Sequence, residues 1–479
     1  MKRPATRFGA LLALAATMVF PLSTRAAGPP VGFATPTYVD TNLSGGEPVI
    51  LNSGSKGTLV YTSHQGTTHL YRNGIVSSPL SFAQFLLTDC NQVYVWYSTN
   101  GGSSWQRVTA FDGTCTSTKT TGFSDPDLTQ DSGGLVYDTG INLANDSVFA
   151  SADGGKTWPT GTPDCHDGDR PWLAGGPANQ VFMATDTVEN VLSHQVFQGT
   201  VDSAGLVVCS ATGVSDTDGS TYTGDGKLSY DRHNGNLVEP AIFFDANGSL
   251  NGVGVSVARA YGQPFTPHRA ATTTMFAHWP TLAIDASDNY YLVWDTDDRT
   301  PGTTGGCGGG LSPAPNSIKM AVSSDHGLSW RTFTVSHPGT ARVLWPWVVA
   351  GDRGKVSVVW YQLDGLEDPD CQPANTFVYE AQIFGASGST PSMTIVNAAG
   401  RSIHYGTICQ GGTACVATGQ DRRLGDLFTN AIDQRGCVVI ATADTMLTDP
   451  VTGGPLPTAR PLFIRQNAGP TLVGSGQCT

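Results

Sequence analysis

A strand–turn–strand phrase recurs along this chain and constrains its fold more than any other feature. Each copy has a short apolar strand, a polar turn and a second apolar strand, a pattern typical of β-hairpins. In residues 280–295, Pro-Thr-Leu-Ala-Ile-Asp precedes Ala-Ser-Asp-Asn and Tyr-Tyr-Leu-Val-Trp-Asp. The seven copies are residues 48–52 with 58–62, 126–131 with 135–138, 171–176 with 181–186, 227–231 with 236–239, 280–285 with 290–295, 346–351 with 356–361, and 427–433 with 437–444.

Hairpin repeats of this size cannot bury their own faces, so they must stack on their neighbours. Radial stacking of small antiparallel sheets closes such an array without long exposed strand edges. The 58 glycines and 29 prolines among 479 residues suit many short strands joined by turns. The sequence therefore predicts an all-β fold, a single β-propeller of four-stranded blades. Seven blades are favoured over six, and six would apply if the weakest copy, 227–239, were an insertion.

A second motif, with serine, aspartate, glycine and tryptophan at fixed spacing, follows three of the predicted strands. Residues 151–158 read Ser-Ala-Asp-Gly-Gly-Lys-Thr-Trp, and residues 323–330 and 98–105 are close variants. Aspartate and glycine satisfy a tight turn, and the tryptophan packs back between sheets. We interpret these three segments, the aspartate turns, as connections between the third and fourth strands of a blade. Asp153 and Asp325 are therefore predicted to be structural and not catalytic.

With these turns the sequence resembles the Asp-box (BNR-repeat) propellers of the sialidase-like superfamily, over most of residues 45–479. The resemblance implies an arginine cluster for a substrate carboxylate, a tyrosine–glutamate nucleophile pair and an aspartate acid/base. Arg170 and Arg422 or Arg423 could supply the arginines. Tyr361 with Glu239 could supply the nucleophile pair, and Asp125 the acid/base. The Arg-Ile-Pro segment of sialidases is absent, and Gly-Glu-Pro stands at 46–48.

Propeller topology places the starts of inner strands and the ends of second strands on one face, opposite the aspartate turns. Polar and aromatic side chains at these positions would surround the axial opening and form the default site. Alternatively, they cap strands or solvate the channel mouth. The inner-strand starts are Glu47, Asp125, Arg170, Asp225, His278, Trp345 and Asp426. The second-strand ends are Asp138, Asp186, Glu239, Asp295, Tyr361 and Asp444.

The predicted function is that of a secreted, sialidase-like glycoside hydrolase acting on a glycan or glycoconjugate. Its catalytic residues would be Asp125, Tyr361 and Glu239. Its substrate would be bound by Arg170, Arg422, Arg423, His278, Trp345, Asp426 and Glu47. The alternative is a non-catalytic propeller that binds a glycan or protein through the same face. A monomer is expected.

No cofactor and no metal in the site are expected from the sequence. Two partial calcium-like clusters, Asp216-Thr-Asp-Gly and Asp295-Thr-Asp-Asp, are interpreted as solvated turns, and a structural Ca²⁺ is left open. The net charge of −13 disfavours nucleic acid as a partner.

Residues 1–26 have the basic start, apolar run and small residues before a cleavage point that signal peptides share. The alternative, a membrane anchor, is disfavoured because the apolar run is shorter than the ~20 residues that a span needs. The protein is therefore expected to be secreted or periplasmic after cleavage near Ala26, with no stable membrane insertion. Residues 27–44 form an N-terminal segment that could close the ring.

The ten cysteines suit an oxidising compartment, where disulfides are the default. Loop position and proximity predict the pairs Cys307–Cys371, Cys409–Cys415, Cys90–Cys115 and Cys165–Cys209. Cys437–Cys478 remains, and it fits poorly, because the C-terminal tail would have to cross to the opposite face.

Overall fold

Seven small antiparallel sheets form a seven-bladed β-propeller, which confirms the predicted fold class and blade number. The computed structural model describes residues 30–64, 69, 71, 93–111, 122, 124–142, 145–187, 193–276, 279–297, 315–412, 415 and 420–479. The innermost strands of the blades contact one another in cyclic order, and the last contacts the first. Closure of the ring therefore brings residues from distant parts of the chain to one axis.

The strands are numbered in chain order, and the first two precede blade one. They are β1 (Gly32–Phe33) and β2 (Thr37–Tyr38). Blade one contains β3 (Gly46–Asn52), β4 (Leu59–His64), β5 (Val93–Ser98) and β6 (Gln106–Arg107). Blade two contains β7 (Ser124–Gln130), β8 (Val136–Asn142), β9 (Asn145–Ser151) and β10 (Thr160–His166). Blade three contains β11 (Asp169–Gly175), β12 (Gln180–Asp186), β13 (His194–Val201), β14 (Val207–Cys209) and β15 (Val214–Ser215).

Blade four is the one predicted from the weakest repeat, and its innermost strand is split in two. It contains β16 (Tyr222–Gly224), β17 (Ser229–Tyr230), β18 (Leu237–Phe244), β19 (Leu250–Ala258) and β20 (Thr266–Thr272). Blade five contains β21 (Thr281–Ile284), β22 (Tyr290–Asp295), β23 (Ile318–Ser323) and β24 (Arg331–Ser336). Blade six contains β25 (Val343–Ala350), β26 (Lys355–Leu363), β27 (Ala374–Phe384), β28 (Ser392–Asn397) and β29 (His404–Gly406).

Blade seven combines both ends of the described chain. It contains β30 (Thr429–Ile432), β31 (Val438–Asp444) and β32 (Arg460–Ala468), with β1 and β2 paired to the outer side of β32. The N-terminal segment thus supplies the outermost strands of the last blade. Two short 3₁₀ helices, Gly54–Lys56 and Thr109–Phe111, also occur in the described part of the chain.

The second strand of a blade is apolar on both faces because neighbouring blades cover both. In β22, all six residues are buried, and Tyr291 and Val293 pack toward blade six while Tyr290 and Leu292 pack toward blade four. This explains why the repeats read as continuous apolar runs and not as alternating strands.

The aspartate turns connect the third and fourth strands of blades one, two and five, as predicted. In residues 151–158, the Ser151 hydroxyl and the Thr157 backbone N–H each donate to Asp153 Oδ1 at 2.9 Å. The Trp158 indole donates to the Gly155 carbonyl at 3.0 Å and is buried. The motif is thus a self-contained turn that anchors one large side chain.

Three predicted disulfides are present among the described residues, Cys165–Cys209, Cys409–Cys415 and Cys437–Cys478. Cys437 and Cys478 can meet because β32 ends at the same edge of the blade where β31 begins. The C-terminal tail therefore does not have to cross the blade, contrary to the expectation from the sequence. Cys371 is also disulfide-bonded, and its partner is not among the described residues. Cys307 and the predicted pair Cys90–Cys115 lie outside the described part of the chain.

Candidate functional site: the axial cleft

Four inner strands begin with the same uncommon backbone conformation on the face opposite the aspartate turns. Glu47, Asp125, Arg170 and Trp345 have φ values of 47°, 52°, 57° and 55°. Each precedes a proline and lies where the pairing register of its strand shifts. Left-handed non-glycine residues are uncommon and concentrate at functional sites, where surrounding structure maintains the strain. The repetition in four blades marks this ring as the candidate site.

A small cleft lies at the axial opening on this face. Four of the predicted site residues line it together, Glu47, Asp125, Arg170 and Asp426. Its remaining lining residues are Pro171, Trp172, Trp279 and Leu427. The predicted His278 lies outside the described residues, directly before Trp279.

Glu47 is buried between two histidines. Its Oε2 lies 2.9 Å from His64 Nε2, and its Oε1 lies 3.0 Å from His69 Nε2. Burial raises the pKa of Glu47, but the interactions with His69 and His64 outweigh this and hold it well below its usual value. Burial lowers the pKa of His69 to about 4. His69 Nε2 and Glu47 Oε1 thus form a buried hydrogen-bonded pair in which the pKa of the carboxyl group is lowered.

The pKa of Asp125 is shifted in the opposite direction. Burial raises the pKa of Asp125 well above its usual value, and the negative charges of Glu47 and Asp169 raise it further. The Ser124 hydroxyl donates to Asp125 Oδ1 at 2.5 Å. The cleft therefore contains two carboxyl groups whose pKa values are shifted in opposite directions.

Arg170 bridges acids from blades three and four. Its Nη2 lies 2.5 Å from Asp186 Oδ2, and its Nη1 lies 3.2 Å from Asp225 Oδ1. The guanidinium also lies over the Trp279 ring, 5.4 Å from its centroid. Burial lowers the pKa of Arg170, but Asp225 and Asp186 raise it more, so the side chain stays charged.

The adjacent arginines Arg422 and Arg423 point to different acids. Arg422 forms a two-point ion pair with Asp426, with Nη1 donating to Oδ1 at 2.7 Å. Arg423 pairs with the buried Asp421 at 2.6 Å and donates to the Leu456 carbonyl. The Asp426 backbone N–H donates to Glu47 Oε1 at 3.1 Å. Arg422 thus supports Asp426 behind the cleft, and Arg423 belongs to a separate ion pair.

Tyr361 and Trp345 are buried in blade six and are not among the residues that line the cleft. The Tyr361 ring stacks on Phe428 with centroids 4.0 Å apart, and its hydroxyl contacts Thr442 Oγ1 at 2.8 Å. Burial raises the pKa of Tyr361 above its usual value. The Trp345 ring lies 5.6 Å from that of Tyr361.

Glu239 lies in a different buried group, 3.2 Å from His194 and close to Asp216. The structure therefore does not place Tyr361 and Glu239 in a direct pair.

Trp172 and Trp279 are cleft residues that the sequence reasoning did not select. Their rings meet edge to face with centroids 5.3 Å apart. Both adjoin a proline at the start of an inner strand, in Pro171-Trp172 and Trp279-Pro280. That adjacency is the signal that could have identified them.

No known protein family and no curated protein matches this sequence. Solved structures are similar to this chain at low sequence identity. The polysaccharide lyase Uly1 is 9% identical over 94% of both chains, with a TM-score of 0.45. An α-L-arabinofuranosidase from Fusarium graminearum is 14% identical over 91% of this chain and 97% of that chain, with a TM-score of 0.40. NanB sialidase from Streptococcus pneumoniae is 9% identical over 94% of this chain and 71% of that chain, with a TM-score of 0.39. Sequence identities and TM-scores this low do not indicate a function for this chain.

The described part of the chain contains no helix that is long and apolar enough to cross a membrane.

Proposed function

We propose that the protein is a glycoside hydrolase that acts on a carbohydrate in the axial cleft. The observation that carries this proposal is that Asp125, whose pKa is raised, and Glu47, whose pKa is lowered, line one cleft. Hydrolysis of a glycosidic bond requires a carboxylic acid to protonate the leaving oxygen and a carboxylate to act on the opposite side of the sugar. Environments that push two carboxyl pKa values apart assign these roles.

In this mechanism Asp125 is the general acid and Asp426 the ionised partner. Asp426 suits that role because it lines the cleft, its side chain is 19% exposed, and Arg422 forms an ion pair with it. Glu47 acts through these two residues. Its charge raises the pKa of Asp125, and its carboxylate accepts the backbone N–H of Asp426.

The same cleft offers a surface for a sugar ring. The indoles of Trp172 and Trp279 form one wall, and Arg170 lies against the second of them. Aromatic faces present large apolar area to the C–H face of a sugar, while charged neighbours can bond its hydroxyls.

A neutral glycan is the substrate class that the charges favour. Three carboxyl groups line the cleft, and its one lining arginine among the described residues, Arg170, is already paired with Asp186 and Asp225. An exo-α-sialidase would need arginines that converge on the substrate carboxylate. We therefore favour hydrolysis of neutral glycans over exo-α-sialidase activity for this protein.

The alternative is glycan binding without turnover on the same surface. The small volume of the cleft and the protein partners of Glu47, Arg170 and Asp426 favour it.

The proposal includes export of the protein, because three disulfides suit an oxidising compartment and residues 1–26 have the features of a leader.

The test compares release of sugar from neutral and sialylated substrates by the mature protein. We expect hydrolysis of neutral glycosides, and Asp426→Asn should reduce kcat by about 100-fold or more. The matched control is Asp245→Asn, which changes an acid in an exposed turn and should leave the rate unchanged. Saturable binding on a glycan array with no released sugar would support the alternative. Hydrolysis confined to sialosides would overturn the substrate class.

A further inference from the structure

A second group of titratable side chains lies buried beside the cleft, between blades three and four. His194, Asp216 and Glu239 each offer one ligand atom, and these atoms lie within 4.8 Å of one another. The three residues are 3%, 0% and 0% exposed. They come from β13, from the connection between the blades, and from β18.

The polar atoms of this group are poorly satisfied. Glu239 Oε2 and Asp216 Oδ2 are buried without a hydrogen-bond donor among the described residues, and Glu239 Oε1 has a polar contact with His194 Nε2 at 3.2 Å. Buried polar atoms in native proteins nearly always have partners, and an uncompensated buried carboxylate is strongly unfavourable. Two carboxyl groups that meet at one buried point therefore indicate a bound positive charge, either a proton or a cation.

We propose that His194, Asp216 and Glu239 bind a divalent transition-metal cation, with Zn²⁺ as the best fit. One imidazole nitrogen and two carboxylate oxygens are hard and borderline ligands of the kind that Zn²⁺ accepts in a three-residue set. Ca²⁺ is a poorer fit because it takes six to eight oxygen ligands and imidazole is not among them. The two negative charges of the carboxylates would balance the charge of the ion.

The position of the group gives the ion a role in shaping the cleft. His194 is paired in register with Asp186, and Asp225 follows Gly224, which packs against Asp216 and Glu239. Asp186 and Asp225 are the acids that hold Arg170. The ion would therefore link blades three and four directly behind this ion pair and act as a positioning site. This inference does not depend on the proposed hydrolase activity.

The structure also separates two acids that the sequence places in one calcium-like phrase. Asp218 is exposed, and the backbone N–H groups of Ser220 and Thr221 donate to its Oδ1 at 2.9 and 2.6 Å, so it forms a solvated turn. Asp216, two residues earlier, is fully buried and faces Glu239. Asp218 is thus a matched control for Asp216.

The experiment measures metal binding by the mature protein after treatment with a chelator. We expect about one Zn²⁺ per chain by elemental analysis and calorimetry, with a rise in Tm when ZnCl₂ is added. Glu239→Gln should weaken Zn²⁺ binding by at least about tenfold, and Asp218→Asn should not change it. Should Glu239→Gln fail to fold, Asp216→Asn and X-ray absorption of the wild-type Zn²⁺ complex provide the readout, with nitrogen and oxygen ligands and no sulfur expected.

Three outcomes would overturn the proposal. The first is no Zn²⁺ bound and no change in Tm, which would mean that the carboxyl pair holds a proton instead. The second is unchanged Zn²⁺ affinity in the folded Glu239→Gln variant. The third is a Tm that rises with Ca²⁺ or Mg²⁺ and not with Zn²⁺.

Discussion

Asp153 and Asp125 belong to the same blade, but the protein surrounds their carboxyl groups with opposite environments. Asp153, in an aspartate turn, accepts from the hydroxyls of Ser151 and Thr157 and from the backbone of the turn. Its slight burial raises its pKa, but these hydrogen bonds outweigh it and lower the pKa below its usual value. Asp125 is surrounded by other acids, and burial raises its pKa well above its usual value.

The contrast shows that the conspicuous aspartates of the repeated motif are bonded within their own turns, whereas less conspicuous acids line the cleft. An aspartate whose lone pairs are already satisfied by its own turn has little left for a substrate. An acid that is buried among other acids keeps its proton and can donate it. The following variants test the aspartate turn and the cleft acids separately.

The largest effect is expected on stability, at the tryptophan of an aspartate turn. Trp158→Ala should lower the free energy of unfolding by about 3–5 kcal/mol, because it removes a buried indole that contacts Phe111. Chemical denaturation measures the loss, and Trp158→Phe, which keeps a ring, should lose less. A Trp158→Ala protein as stable as wild type would break the structural side of the comparison.

The next effect is expected on catalysis, at the acid of the cleft. Asp125→Asn should reduce kcat by about 100-fold, equal to about 2.7 kcal/mol, because an amide cannot protonate the leaving group. Asp153→Asn should keep the wild-type rate, since its carboxylate bonds only its own turn. Hydrolysis assays on both variants test the pair, and equal rates would contradict the assigned roles.

The third effect is a shift of the pH profile. Because Glu47 is a negative charge that raises the pKa of Asp125, Glu47→Gln should lower that pKa. Activity requires protonated Asp125 and is lost as pH rises through its pKa, so the alkaline limb should move to lower pH. Asp169→Asn removes another charge that raises the pKa and should move the limb in the same direction. An unmoved limb, or one displaced to higher pH, would contradict this.

The smallest effect is expected when the aspartate-turn carboxylate is neutralised. Asp153→Asn should cost about 1 kcal/mol at neutral pH, because its hydrogen bonds are exposed to water. A lowered folded-state pKa stabilises the protein above the unfolded-state pKa, and that contribution is lost as pH falls through the folded-state pKa. The difference in unfolding free energy between wild type and Asp153→Asn should therefore vanish in acid. A constant difference across pH would contradict it.

Much of the fold was predictable because its rules are local. Alternating strands and turns, and the Asp–Gly–Trp spacing, are read within about ten residues, and the structure contains all seven predicted blades. The weakest copy was ambiguous for a physical reason. Its inner strand is interrupted after Gly224, so β16 and β17 are too short to give a clear apolar run.

The candidate site was predictable only as a set of positions. Ring topology indicates that Glu47, Asp125, Arg170 and Asp426 approach one opening, and these four line the cleft. Ring topology does not indicate which neighbouring group each side chain pairs with. Arg422 and Arg423 are consecutive, yet they pair with Asp426 and Asp421 respectively.

The sequence by itself determined the ring of hairpins, the structural role of the aspartate turns and the acids at the strand starts, since each depends on residues that are neighbours in the chain. Only the tertiary structure decided the raised pKa of Asp125, the burial of Tyr361 and the proximity of His194 to Asp216 and Glu239. These depend on desolvation and on charges brought together across blades. Such contributions exist only once the ring is closed.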